Sequence, residues 1–320
     1  MHDQDLLAGT AQWMQRAVAR VRKLFPRLLT MRTLMVGCAA GEGRLDSTEL
    51  PRSQWIGEIL AANLKSQSRV LRSGMIVMKE FHYETRPALR CMTEHGFTRV
   101  PSLPMTRLDI RFKDFEEYMT KALSKVTRKS LRRKYKTIAE ATQKSPITLE
   151  IKTDVSDCVD ELHPLYMAVY DRSPMHFEKL TKEFLIRLGR EMPEKVRYFV
   201  WRQNGKAIAF SLVMVSGDAI YDEYLGLDYS VALDLHLYFH TIRDIIEWGM
   251  KNGYHWYVSS ALNYDPKLHL KSKLEPLDLY VSHTSGVINF FLGKFLPWLE
   301  PTRNDKTLKQ FENFKQLWED

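Results

Sequence analysis

Apolar positions along the chain recur at two periods, and the switches between them divide it into alternating helices and strands. In residues 4–29, Leu7, Met14, Ala17, Val18, Val21 and Leu24 recur at spacings of three and four, with Arg16, Arg20, Lys23 and Arg27 largely off that stripe. This pattern predicts an amphipathic helix. A β-like run at 28–36 leads into the turn-rich loop Gly37-Cys38-Ala39-Ala40-Gly41-Glu42-Gly43. Residues 55–71 predict a helix stopped by Gly74, 75–81 (MIVMKEF) a buried strand, and 108–112 a strand closing this half. Between the last two, 87–95 predicts a short helix with Pro87 near its start and Gly96 just past its end.

The second half repeats the alternation. Residues 114–142 predict one basic helix, ended by Pro146, followed by a strand at 147–152 and helices at 158–170 and 180–191. Three strands come in succession at 196–202, 207–215 and 219–226. Their connectors, Gln203-Asn204-Gly205-Lys206 and Ser216-Gly217-Asp218, hold residues that tolerate positive φ, so the three predict an antiparallel meander. A long helix at 233–252 capped by Gly253, strands at 256–259 and 277–283, and an apolar helix at 287–299 complete the order. Strands alternating with helices imply an α/β layered fold of mixed sheets flanked by helices. The expected divisions are an amphipathic helix at 1–30, a first unit at 31–113, a basic helical connector at 114–145, a second unit at 146–286 and a helical segment at 287–320.

Composition narrows this picture. With 320 residues, 44% of them hydrophobic, the chain can bury two ordinary cores. Three widely spaced cysteines speak against a disulfide framework or a zinc site. No apolar run approaches the ~20 residues of a membrane span, and the start, MHDQDLLAGTAQW, opens acidic without an apolar signal core, so the cytoplasm is the expected compartment. Of the net charge of +8, much sits between Lys125 and Lys136, which points to a local anionic partner and not to a coat for nucleic acid.

The segment YFVWRQNGKAIAFSLVMVSGDAIYDEYLGLDY, followed by LHLYFHTIRDIIEWGMKNGYHWYVSS, resembles the acyltransferase domain of GNAT-fold, Fem-like proteins, often labelled peptidoglycan-biosynthesis or BioF2-like acetyltransferases. The preceding LSKVTRKSLRRKYKTIAEA is similar to the basic helix that introduces that domain. MIVMKEF and HGFTRVPSLPMTRLDI resemble parts of a degenerate first GNAT unit. The resemblance spans roughly residues 34–283 and implies two GNAT-like units in tandem. One departure stands out: Leu225-Gly226-Leu227-Asp228-Tyr229-Ser230 replaces the Gln/Arg-x-x-Gly-x-Gly/Ala loop of the commonest GNAT pattern.

The resemblance implies transfer of an acyl group from a thioester donor, acyl-CoA or an acyl carrier protein, to an amine or hydroxyl on a small-molecule or lipid-like acceptor, without a metal. In such folds the donor's pyrophosphate lies where the meander's last strand passes into the next helix, drawn by N–H groups and the helix dipole. Here those are the amides of Gly226, Leu227, Asp228, Tyr229 and Ser230. In Tyr221-Asp222-Glu223-Tyr224, the densest polar cluster of an apolar meander, strict alternation sends Tyr221 and Glu223 to one face and Asp222 and Tyr224 to the other. Glu223 is the expected general base and Tyr224 a substrate contact; the plainer reading is a pair of ion-paired carboxylates. Tyr264 is the expected acid for the leaving thiolate, with Lys267, Lys271 and Lys273 as anion contacts or as a solvated face. Lys79 and Glu80, at the end of their strand, either face the acceptor or form a local ion pair. His236 and His240 suit helix packing, or His236 the acceptor pocket, better than a metal, since they lack further ligands. Arg132 belongs to a run of seven cations, Lys125, Arg128, Lys129, Arg132, Arg133, Lys134 and Lys136, which suits phosphates, a charged tRNA or plain solvation. The apolar helix at 287–299 suits core packing, an acyl-chain pocket, or docking at the inner face of a membrane. Two rivals stand beside this reading: a Fem-type transferase using aminoacyl-tRNA and a cell-wall precursor, and a non-catalytic basic binding module. The basic run holds one aromatic, Tyr135, and no alternation of aromatics with cations, which counts against the module.

Overall fold

A computed structural model describes residues 2–5, 20, 30–38, 42–45, 48–173 and 179–319. The helix expected at 4–29 and the centre of the 37–43 loop fall largely outside these described residues. The strands in chain order are β1 (His2–Asp5), β2 (Thr30–Val36), β3 (Met75–His82), β4 (Thr98–Pro101), β5 (Met105–Asp109) and β6 (Ile147–Lys152). They continue as β7 (Val196–Gln203), β8 (Lys206–Ser216), β9 (Ala219–Leu227), β10 (Trp256–Ser259), β11 (Lys273–Glu275) and β12 (Leu277–His283). The helices are α1 (Leu50–Val70), α2 (Arg86–Glu94), α3 (Phe115–Ala122), α4 (Lys125–Lys144), α5 (Val159–Tyr170), α6 (Lys182–Glu191), α7 (Leu237–Lys251), α8 (Tyr264–His269) and α9 (Gly286–Leu299). Two compact units result, Met1–Pro104 with Glu275–Asp320, and Met105–Leu274.

The first unit holds a five-stranded mixed sheet in the order β1-β2-β3-β12-β4. Its central strand β3 is apolar without alternation because both faces are covered. Ile76 and Met78 pack among Leu64, Leu89 and Met92 of α1 and α2, while Met75 and Val77 pack with Val281, Leu292 and Leu296. Asp278, on β12 and 1% exposed, accepts from Arg86 Nε (2.6 Å), Arg86 Nη2 (3.0 Å) and Arg99 Nη1 (3.0 Å).

The second unit holds a seven-stranded sheet in the order β11-β5-β10-β9-β8-β7-β6, built around the expected meander β7-β8-β9. Asn204, Gly205 and Gly217 turn its connectors at φ of 52°, 78° and 58°, which Asn and Gly tolerate at little cost. One face of the sheet packs Val213, Ile220 and Leu227 against Ile242, Ile245 and Ile246 of α7. The other packs Phe210 and Leu212 against Leu162, Leu165 and Tyr166 of α5.

Four features differ from the sequence reading. The strand expected to close the first half, at 108–112, is β5, and it pairs antiparallel with β10 in the second sheet, Leu108 opposite Tyr257. Conversely β12, expected in the second unit, lies antiparallel between β3 and β4 in the first. Local pattern says which face of a strand is apolar but not which neighbour it pairs with. The single basic helix is two, because Leu123 is extended and the Ser124 hydroxyl caps α4 at Thr127 N (3.2 Å), as Asp114 caps α3 at Glu117 N (2.8 Å). The long helix begins only at Leu237, since His236 stands at φ 47°. Among the described residues no helix is long and apolar enough to cross a membrane.

Candidate functional site

The site begins where two parallel strands part. β9 and β10 pair from Trp256↔Ala219 to Ser259↔Asp222, and the chain then leaves the sheet at Ser260. β9 runs on beside β8 as far as Leu227. This leaves a cleft of about 100 Å³, walled by Asp222, Glu223, Tyr224 and Leu225 on one side and the loop 260–263 on the other, with Tyr238, Thr241 and Ile242 of α7 beneath.

A β-bulge sets the side chains on the first wall. β8 and β9 pair Leu212↔Tyr224 and then Val213↔Asp222, so Glu223 is the extra residue. Strict alternation therefore fails here. Asp222 faces Ser211 and Tyr257, whereas Tyr224 lies on the opposite side of the sheet, its ring edge-on to Tyr166 with centroids 6.2 Å apart. Glu223, at the bulge, lines the cleft.

Asp222 accepts from the hydroxyls of Ser211 and Tyr257 (2.7 Å for the latter). Burial pushes its carboxyl up, opposed by those two bonds and by the charge of Lys267. Lys267, on α8 and 6% exposed, donates its ammonium to the carbonyls of Ser260 and Leu262, the second at 2.8 Å. Burial lowers its pKa to about 7, and Asp222 pulls the other way. The loop is shaped for this contact. Leu262 and Asn263 stand in succession at φ 74° and 49°, a conformation costing a bulky residue ~1–3 kcal/mol, and between them they bring two carbonyls onto one nitrogen. An ammonium has three N–H donors. Two are spent on these carbonyls, and the third has no protein acceptor among the described residues.

The other predicted residues fall elsewhere. Tyr264 is buried on α8, its ring centroid 5.7 Å from Lys267 Nζ, and is not part of the cleft lining. Lys271 follows α8 at φ 63° and Lys273 lies on β11, both exposed and away from the cleft. His236 caps α7, its pKa lowered by burial and by Lys134 and Arg133. Arg132 is ion-paired with Glu116. Lys79 and Glu80 belong to the first unit and pair at 2.7 Å, Glu80 at φ 59° and within 3.3 Å of the Ser102 hydroxyl.

At the strand-to-helix junction most of the amides are taken within the chain. Asp228 N donates to Ile208 O (2.8 Å), Ser230 N to the Asp228 carboxylate (3.0 Å), and Val231 N and Ala232 N to Asp228 O (3.1 and 2.9 Å). Tyr229 is stacked under Arg172, and Leu227 is in the core. The Asp228 carboxylate, held at a pKa of about 2 by Lys206 and Ser230, adds negative charge where a pyrophosphate would sit. Gly226 answers to packing: a Cβ would lie 2.3 Å from the Phe210 ring and 2.8 Å from Tyr166 N. Gly226→Ala is expected to destabilise the unit by about 1–3 kcal/mol, read by urea unfolding, and a variant as stable as the parent would remove this account.

From the sequence Lys267 reads as an anion contact or as part of a solvated face, and nothing there groups Ser211, Asp222 and Tyr257. One signal was available: Ser211 is the lone polar residue in AIAFSLVMV, and a hydroxyl in a doubly buried strand requires a partner.

Residues 11–259 match the FemAB-like family, described as peptidoglycan biosynthesis/recognition. The fold is similar to that of a protein solved as FemX, with a TM-score of 0.52 and 10% identity over 86% of this chain and 92% of that one. It is also similar to the C-terminal domain of a putative lysylphosphatidylglycerol synthetase from Agrobacterium fabrum, with a TM-score of 0.50 and 13% identity over 75% and 78%. At such identities the likeness is one of fold. No curated protein matches the chain in sequence.

Proposed function

Because the chain belongs to the FemAB-like family, we propose that it is a transferase joining an activated acyl group to an amine or hydroxyl of a cell-wall or lipid acceptor. The observation that carries the reading is the buried Lys267 ammonium at the mouth of parted strands, with one donor left for an incoming oxygen. Attack by the acceptor nitrogen forms the new C–N bond and puts negative charge on the carbonyl oxygen, which the third Lys267 N–H receives. Glu223 takes the nitrogen's proton and returns it to the departing oxygen or sulfur as the old C–O or C–S bond breaks. Asp222, fixed by Ser211 and Tyr257, supplies the charge that favours the protonated form of Lys267.

For the donor, an aminoacyl ester on tRNA is favoured over acyl-CoA. The amides of residues 228 and 230–232 are spent within the chain, and Asp228 is anionic. The basic helix α4 offers a contact for a polyanion. The test is transfer of labelled aminoacyl groups from charged tRNA to a muropeptide or aminolipid acceptor. Loss of product formation when the charged tRNA is pretreated with RNase is the expected result; RNase-resistant transfer from acyl-CoA would establish the thioester reading instead. Glu223→Gln is expected to lower kcat by about 10²-fold with little change in KM, and full turnover in steady-state assays would remove the base assignment.

A further inference from the structure

Helix α9 holds no buried residue, although it is the most apolar of the helices among the described residues. Its inner strip is accounted for: Leu292 and Leu296 pack on Met75, Val77 and Val281, and Asn289 is tied to Gly96 O (2.8 Å) and His283 N (2.8 Å). The rest faces out. Val287, Phe290, Phe291, Phe295, Trp298 and Leu299 are 52–70% exposed. With 3.6 residues per turn they fall within an arc of roughly 180°, about twice the width needed by a two-helix seam.

We infer that this outward half of α9 docks onto an anionic lipid surface. Charge favours that occupant. The stretch from residue 279 to 299 contains no Asp or Glu. Cations surround the apolar arc: Lys294 lies within it, its Nζ 4.6 Å from the Phe290 ring centroid, and Arg303 sits at the helix end, bonded to Pro297 O. Lys65, bonded to His95 O, lies near Asn289 beside the N-terminal half. A helix of 14 residues, ~21 Å long, is too short to span a bilayer but long enough to lie in its interface, rings among the acyl chains and ammonium groups at the headgroups.

The test is flotation of the full chain with vesicles of phosphatidylcholine alone and of phosphatidylcholine with phosphatidylglycerol. Binding is expected only to the anionic vesicles, weakened at ~0.5 M salt. It is expected to fall by about tenfold or more in Phe291→Ser/Phe295→Ser and in Trp298→Ser, and to weaken in Lys294→Glu, with circular dichroism unchanged. The inference is overturned if the parent chain stays with neither vesicle, if the variants bind as the parent does, or if size-exclusion chromatography shows the face covered by a second copy that the substitutions release.

Discussion

Lys267→Met is expected to lower kcat by about 10²–10³-fold while leaving the fold intact, the loss found when one donor to a developing oxyanion is removed. The fold should survive with a loss of stability: Asp222 keeps its bonds from Ser211 and Tyr257 but loses the nearby cation that offsets its burial, and removing one charge of a buried pair is destabilising. The carbonyls of Ser260 and Leu262 also lose a donor. Two pH signatures separate this role from a structural one. The donor must be protonated, so kcat/KM should fall as pH rises through about 7. Stability should move the other way. The folded pKa lies below the unfolded value of 10.5, so between these limits the unfolded chain binds the extra proton and stability rises with pH, by at most about 1.4 kcal/mol per unit. Lys267→Met should lack that rise in urea titrations. A variant that keeps full turnover, or a parent whose activity grows through neutral pH, would sink the assignment.

The path to Lys267 shows what the sequence could reveal. Turn chemistry is local, so Asn204-Gly205 and Gly217 were enough to place the meander. Glu223 was visible because a carboxylate in an apolar strand is unusual. Its bulge was not, because one extra residue in a ladder is a property of two strands, and that residue sent Tyr224 away from Asp222. Lys267 looked like one of several spaced lysines. Its burial depends on Leu262 and Asn263 adopting left-handed conformations, and Leu262 gives no warning of this. At the junction after β9, the helix dipole predicts free amides, but Asp228, followed two residues later by Ser230, closes its own turn and takes up most of them.

The exchange of β5 and β12 between the sheets was equally beyond local pattern, and Asp278 provides its test. Asp278→Ala is expected to destabilise the unit that contains it by about 3–5 kcal/mol, the cost of breaking a buried ion pair on one side. Two guanidiniums, with side chains only 13% and 12% exposed, would lose their shared carboxylate. Those same groups donate to the carbonyls of Gln316, Leu317, Trp318 and Glu319, so the loss should also loosen the C-terminal segment. The location of the effect matters as much as its size. Since β12 lies between β3 and β4, hydrogen exchange should quicken at residues 75–82, 98–101 and 311–319, while β8 and β9 keep their protection. Uniform acceleration across both sheets, or a loss below about 1 kcal/mol by urea unfolding, where the cost of an exposed pair lies, would mean that Asp278 does not join these strands as described.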